Sequence, residues 1–279
     1  MKNIIISVDS AADLPQNFAK ENGIEIMPMY VIAERNQFRD GIDIDGKGVF
    51  GFVEKTGKIP KTSAVSPSEY AEYFSSLTPN GESVIHLSFC SLLSSTHRNA
   101  VIASGQMQTV SVIDTMNLGG GIGLLALKGC EMRDNGMSVR EIVDKLVSLI
   151  PKIRVSYLLD SVEFLRLGGR CSAASALGAG LFSIRPCAGM VNGKIEILAK
   201  YKGKSDAVRK KYIDDIIEKY PSADKSAAFI YHSGVDEKFL GYAEAKLRNA
   251  GFKRIITAEN GSIISLHSAP KAFGIHVLA

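Results

Sequence analysis

Short apolar runs alternate with capped helical stretches through the first half of the chain, and that alternation leaves few folds open. Residues 4–8, Ile-Ile-Ile-Ser-Val, suit a strand buried on both faces. The run ends in the polar turn Asp9-Ser10-Ala11-Ala12-Asp13, after which Pro15 opens a short helix that Gly23 closes. A strand is predicted over 24–32. Ser66-Pro67-Ser68-Glu69 is a capping box with proline at the first helical position, so a helix is predicted from there to about residue 76. Strands at 84–89 and 109–113 bracket a helix at 96–106. The glycines at 119, 120, 121 and 123 lead into a helix over 124–135, and Ser138-Val139-Arg140-Glu141 caps another that Pro151 terminates. This order implies right-handed crossovers and a mainly parallel sheet with helices on both faces.

The second half follows a different pattern. A strand at 155–159 is followed by a short helix from Asp160 that Gly168-Gly169 stops. Asn192-Gly193, between CAGMV and KIEILAKY, is a strong hairpin signal and implies antiparallel pairing. Helices near 205–219 and 236–250 alternate with strands near 227–231, 254–258 and 274–278. The predicted fold class is α/β with two α/β domains. Residues 1–152 form a mainly parallel domain and 153–279 a smaller domain with a mixed sheet. A chain of 279 residues with 46% hydrophobic content can fill both cores.

Bulk properties exclude several functions. The net charge of +4, from 33 basic and 29 acidic residues, directs no strong field at nucleic acid. No 18 uncharged apolar residues occur together, so no integral membrane span is expected. The start MKNIIISVDS lacks the form of a signal peptide, and a cytoplasmic protein is expected. The four cysteines form no Cys-x-x-Cys pair and are expected as buried, reduced thiols.

Hydroxyls mark the candidate chemistry. Segment 84–100, VIHLSFCSLLSSTHRNA, passes from an apolar run into Ser88, Ser91, Ser94, Ser95 and Thr96, just before a helix. A second pair, Thr62-Ser63, lies upstream. Two such turns closing on one spot suit a carboxylate or a phosphate; taken singly, a hydroxyl before a helix is usually a cap. Catalytic signals are weak. There is no Gly-x-Ser-x-Gly elbow, no evident Ser, His and acid set, and no metal-spaced histidine pair. Asp9 and Asp13 suit turn caps, and the Gly119 loop lacks a phosphate-loop ending, which favours close helix–sheet packing. An enzyme acting on a small phosphorylated or carboxylated metabolite would have to rest on these last three features.

Taken in order, the motifs DSAADLP (9–15), FRDGIDI (38–44), TSAVSPSEY (62–70), VIDTMNLGGGIG (112–123), LLDSVEFLRLGGR (158–170) and VNGKIEIL (191–198), with segment 84–100, closely resemble the DegV family of bacterial fatty-acid-binding proteins. The resemblance covers nearly the whole chain. It implies two α/β domains, a long-chain fatty acid (C14–C18) in a tunnel at their interface, and no cofactor, metal or catalysis. It also implies that Thr62, Ser94 and His267 hold the carboxylate, with Ser95 beside it. Some members pass the fatty acid to a separate kinase subunit, which implies a possible kinase partner. Four residues depart from the family pattern: Ser95 replaces a glycine, Ala64 a glutamine and Lys202 an arginine, while Lys271 interrupts a glycine-rich turn.

Overall fold

A computed structural model describes residues 3–171 and 184–279. Strands β1 (Ile4–Asp9), β2 (Ile24–Met27), β6 (Ser83–Ser88) and β7 (Val110–Asp114) form a four-stranded parallel sheet in the order β2-β1-β6-β7. Helices α1 (Gln16–Asn22), α3 (Pro67–Leu77) and α4 (Thr96–Ser104) lie in its crossovers, and α5 (Gly120–Asp134) and α6 (Val139–Leu149) follow its last strand. Ser66 and Ser138 complete the two expected capping boxes with Glu69 and Glu141.

The single strand expected over 24–32 is two strands. Pro28 has no N–H for a ladder, so the chain leaves the parallel sheet at Met27 and re-enters pairing as β3 (Tyr30–Ala33). There β3 joins β4 (Asn36–Arg39) and β5 (Lys61–Ser63) in a small antiparallel sheet, with Val31 opposite Thr62. Helix α2 (Gly46–Thr56) connects β4 to β5.

After a 3-10 turn over Ile150–Lys152, the chain builds a six-stranded mixed sheet in the order β10-β9-β8-β13-β11-β12. Its strands are β8 (Ile153–Leu158), β9 (Ile184–Val191), β10 (Lys194–Lys202), β11 (Ala227–His232), β12 (Arg254–Glu259) and β13 (Phe273–Leu278). Among the described residues this half also holds helices α7 (Glu163–Gly168), α8 (Ser205–Lys219), α9 (Glu237–Asn249) and α10 (Ser262–Ser268). Asn192 and Gly193 turn the β9–β10 hairpin with φ of 49° and 78°, as a type I′ turn requires. The hairpin tip reaches the first half, where Cys90 Sγ donates to Gly193 O at 3.2 Å.

Helix α5 joins the two sheets. It begins at Gly120 rather than near residue 124, because the glycines are part of its packed first turn. A Cβ at Gly120 would lie 2.6 Å from Tyr231 and 2.7 Å from His276 Nδ1, so only a bare Cα lets the helix sit on β11 and β13. One continuous apolar cluster runs from Ile6 and Val8 through Ile122 and Leu125 to Phe229 and Tyr231. A second, around Tyr212, Phe239 and Phe273, lies under α8 and α9. All four cysteines are free and buried.

Candidate functional site

Three elements far apart in sequence bring hydroxyls and an imidazole to one cavity. Thr62 arrives on β5, which is held by its register with β3. Ser94 arrives on the turn after β6, where its Oγ accepts from Thr96 N at 3.2 Å and lies 2.8 Å from Thr96 Oγ1. His267 arrives in the last turn of α10. Its ring lies against Gly168 at the end of α7, where a Cβ would fall 2.0 Å from His267 Nδ1. That nitrogen is buried and has no hydrogen-bond partner among the described residues. Burial, aided by the Arg170 guanidinium, pushes the imidazole pKa down to about 4. His267 is therefore neutral at pH 7, with a ring N–H free to donate to an anion.

The rest of the described wall is largely apolar, with Met29, Leu118, Val155, Leu159, Met190 and Ile264 contributed from both sides of the 150–152 turn. The cavity is narrow, about 60 Å³. A few convergent polar groups in an apolar slot suit an amphipathic anion.

Arg170 also lines this cavity and was missed from the sequence, where no cation stands beside the hydroxyl turns. Gly169, in the left-handed region at φ 69°, turns the chain after α7. Arg170 then donates to Gly168 O at 2.6 Å and reaches Leu93 O, at 3.5 Å, in the Ser94 turn. Its place directly after Gly168-Gly169 was the available signal. Ser95 is placed differently from Ser94: it is exposed at the start of α4 and does not line the cavity. Lys202 and Lys271 are exposed and outside the cavity as well.

The two aspartates of the 9–13 turn are not side-chain caps. Asp9 accepts from Tyr70 OH, from Ser88 Oγ at 3.0 Å and from Phe89 N at 2.7 Å, and lies 3.2 Å from His86 Nε2. Burial pushes its pKa up, but His86 and these hydrogen bonds outweigh burial and hold it below the usual carboxylate range. His86 Nδ1 lies 2.9 Å from Ser7 Oγ, so an acid, histidine and serine do stand in line. All three are wholly buried, Ser7 Oγ is engaged by Tyr73 OH at 2.8 Å, and none lines a described cavity. The set has no access to a substrate. It holds the start of the Ser94 turn, through Phe89 N, to β1.

A family model described as "Uncharacterised protein, DegV family" matches residues 3–279. The chain belongs to the DegV family. A DegV domain-containing protein of Caldanaerobacter subterraneus is 31% identical over 280 residues, covering 99% of this chain and 98% of the relative. Among solved structures, a DegV family protein from Thermus thermophilus, described for its fatty acid binding, superposes with a TM-score of 0.90 at 25% identity over the full length of both chains. A Thermotoga maritima protein whose structure reveals a fatty acid binding function gives 0.83 at 26% identity, again over both full lengths. The α/β architecture is thus that of DegV structures, whose described ligands are fatty acids. Among the described residues no group of three or more His, Cys, Asp or Glu could hold a metal, and no helix is long and apolar enough to cross a membrane.

Proposed function

We propose that this protein is a cytoplasmic carrier that binds a C14–C18 fatty acid and presents its carboxylate to a kinase partner. The carboxylate sits at Thr62, Ser94 and His267, and the chain lies along the apolar wall. The observation that carries this reading is the convergence of three neutral donors, from β5, the Ser94 turn and α10, on one largely apolar cavity. Residues 1–152 and 153–279 act as two domains with the ligand between them.

Magnitudes divide the roles. Burying about 14 methylenes is worth on the order of 11 kcal/mol gross at roughly 0.8 kcal/mol each, before association costs. Each hydrogen bond to the carboxylate adds about 1.5–3 kcal/mol. The chain sets affinity; the polar groups set which end goes where. A cavity of about 60 Å³ is well below the several hundred usual for small ligands, so chain entry moves wall side chains. Met29 and Met190, unbranched and adaptable, are suited to give way.

The enzymatic alternative loses its geometry. Asp9 is sealed in the core and the Gly119 loop is packed on the mixed sheet, while Asp13 faces a separate pocket. The carrier itself performs no chemistry on the lipid.

Replacing Thr62 and Ser94 together with alanine is expected to weaken palmitate binding by about tenfold or more while leaving hexadecanol binding unchanged. Equal palmitate affinity in the double variant would remove both hydroxyls from the site.

A further inference from the structure

The mixed sheet is split at one end. Strands β8 and β9 pair only where Ser156, Tyr157 and Leu158 meet Gly189, Ala188 and Cys187. Beyond Gly189, among the described residues, Met190 and Val191 pair with β10 alone, and Ile153, Arg154 and Val155 with β13 alone. The hairpin tip draws β9 away, because it leans on the first half of the chain. A Cβ at Gly193 would fall 2.5 Å from Met116 Cε and 3.3 Å from Cys90 Sγ.

A second pocket, of about 760 Å³, lies in this split. Val155 belongs to the apolar cluster that α5 joins, whereas Ser156 faces α8, where its Oγ lies 2.7 Å from Tyr212 OH. Successive strand residues point to opposite faces, yet both line this one pocket, so the pocket passes through the sheet between β8 and β9. Val155 and Met190 line the lipid cavity as well, and the two spaces meet at these side chains. Gly189 completes the partition. It lines the lipid cavity, and a Cβ there would fall 2.3 Å from Leu198 Cδ1 in the wall of the second pocket.

Polarity decides what enters. In the lipid cavity, His267 Nδ1 and Ser268 Oγ are buried without partners among the described residues, and both stand at the headgroup end. In the second pocket no buried side-chain nitrogen or oxygen lacks a partner among the described residues. Tyr212 OH accepts from Ile275 N and donates to Ser156 O, each at 3.0 Å, and Tyr201 OH donates to Asp215 at 2.9 Å. Arg154 donates to Pro151 O at 2.7 Å and Ile153 O at 3.0 Å. Nothing buried there awaits a polar ligand, while Ile153, Leu198, Ile216, Ile275 and Val277 supply apolar wall. The lipid cavity, at about 60 Å³, cannot hold a long chain by itself, and the adjoining space can. We propose that the terminal methylenes of the bound acyl chain pass between β8 and β9, displacing the adaptable Met190, and lodge in this second pocket against Leu198 and Ile216. The proposal rests on the carrier reading of the lipid cavity and adds where the chain ends and which residues set its length.

The chain has no tryptophan, so Tyr220→Trp, in the wall of the second pocket, makes a single fluorescent reporter there. The full-length variant is titrated with 16-bromohexadecanoate and with palmitate, since bromine quenches an indole only near contact. Native mass spectrometry counts the fatty acid bound in each case. Quenching by the brominated acid, and none by palmitate, is the expected result. One bound 16-bromohexadecanoate per chain with fluorescence unchanged would overturn the proposal. Ile216→Trp takes over as the reporter should Tyr220→Trp fail to fold. Filling the pocket gives a second reading: Leu198→Trp should weaken stearate by about tenfold more than laurate, because the longer chain has more methylenes to lodge there. Equal losses for the two acids would also overturn the proposal. Failure of the wild type to take up any of these acids would instead refute the carrier reading beneath it.

Discussion

Gly168→Ala puts the headgroup geometry under direct strain. Its new Cβ would lie 2.0 Å from His267 Nδ1 and 2.5 Å from His267 Cε1, whereas ordinary contact begins at 3.4 Å. The ring must therefore retreat by about 1.4 Å. A hydrogen bond loses its geometry over such a displacement, so the variant forfeits the His267 contribution, about 1.5–3 kcal/mol for a bond to a carboxylate. Palmitate affinity should fall by roughly 10- to 100-fold. Titration with palmitate, alone and in a His267→Ala background, is the assay. His267 supplies the three atoms nearest the added methyl, so with the imidazole gone Gly168→Ala should cost little and the cycle should show strong coupling. An unchanged affinity in the single variant, or an equal loss in both backgrounds, would refute the argument that Gly168 exists to seat His267.

Three further outcomes follow from the same geometry. Arg170→Gln should weaken palmitate more than hexadecanol and raise the His267 pKa from about 4 in an NMR titration, since it removes the positive charge that helps to depress it. Because His267 is depressed in the fold from its ordinary 6.5, the unfolded chain binds the extra proton. The wild type should accordingly lose stability relative to His267→Gln as pH falls from 6.5 towards 4, measured by urea unfolding, and the difference should vanish above pH 7. Ser7→Ala should cost about 1–3 kcal/mol of stability by the same method and leave palmitate affinity intact, because the Ser7–His86–Asp9 line is scaffold. Loss of binding at full stability would give that line a functional role.

Local chemistry was readable in the chain wherever it acts over a few residues. The two capping boxes, at Ser66 and Ser138, and the Asn192-Gly193 turn fix their own geometry and appear as expected. The split of 24–32 at Pro28 is equally local, carried by a missing N–H that outweighs the surrounding apolar run. What lay beyond reach depends on tertiary closure. Arg170 meets Ser94 and His267 only once α7 docks beside α10, and Ser7, Asp9 and His86 align only when β6 pairs with β1. Ser94 and Ser95 are adjacent and chemically alike, yet the first turn of α4 sends one to the cavity and the other to solvent. Asp9 was expected to cap a turn because a carboxylate before a helix usually does; burial beside His86 and Tyr70 gave it a stronger use.

Denaturing extraction of the protein purified from a bacterial host, followed by lipid mass spectrometry, tests the central claim most directly. One C14–C18 fatty acid per chain is the predicted result, diminished in the Thr62→Ala/Ser94→Ala variant. Recovery of no fatty acid, together with no uptake of added palmitate by the extracted and refolded chain or by the native protein, would contradict the account.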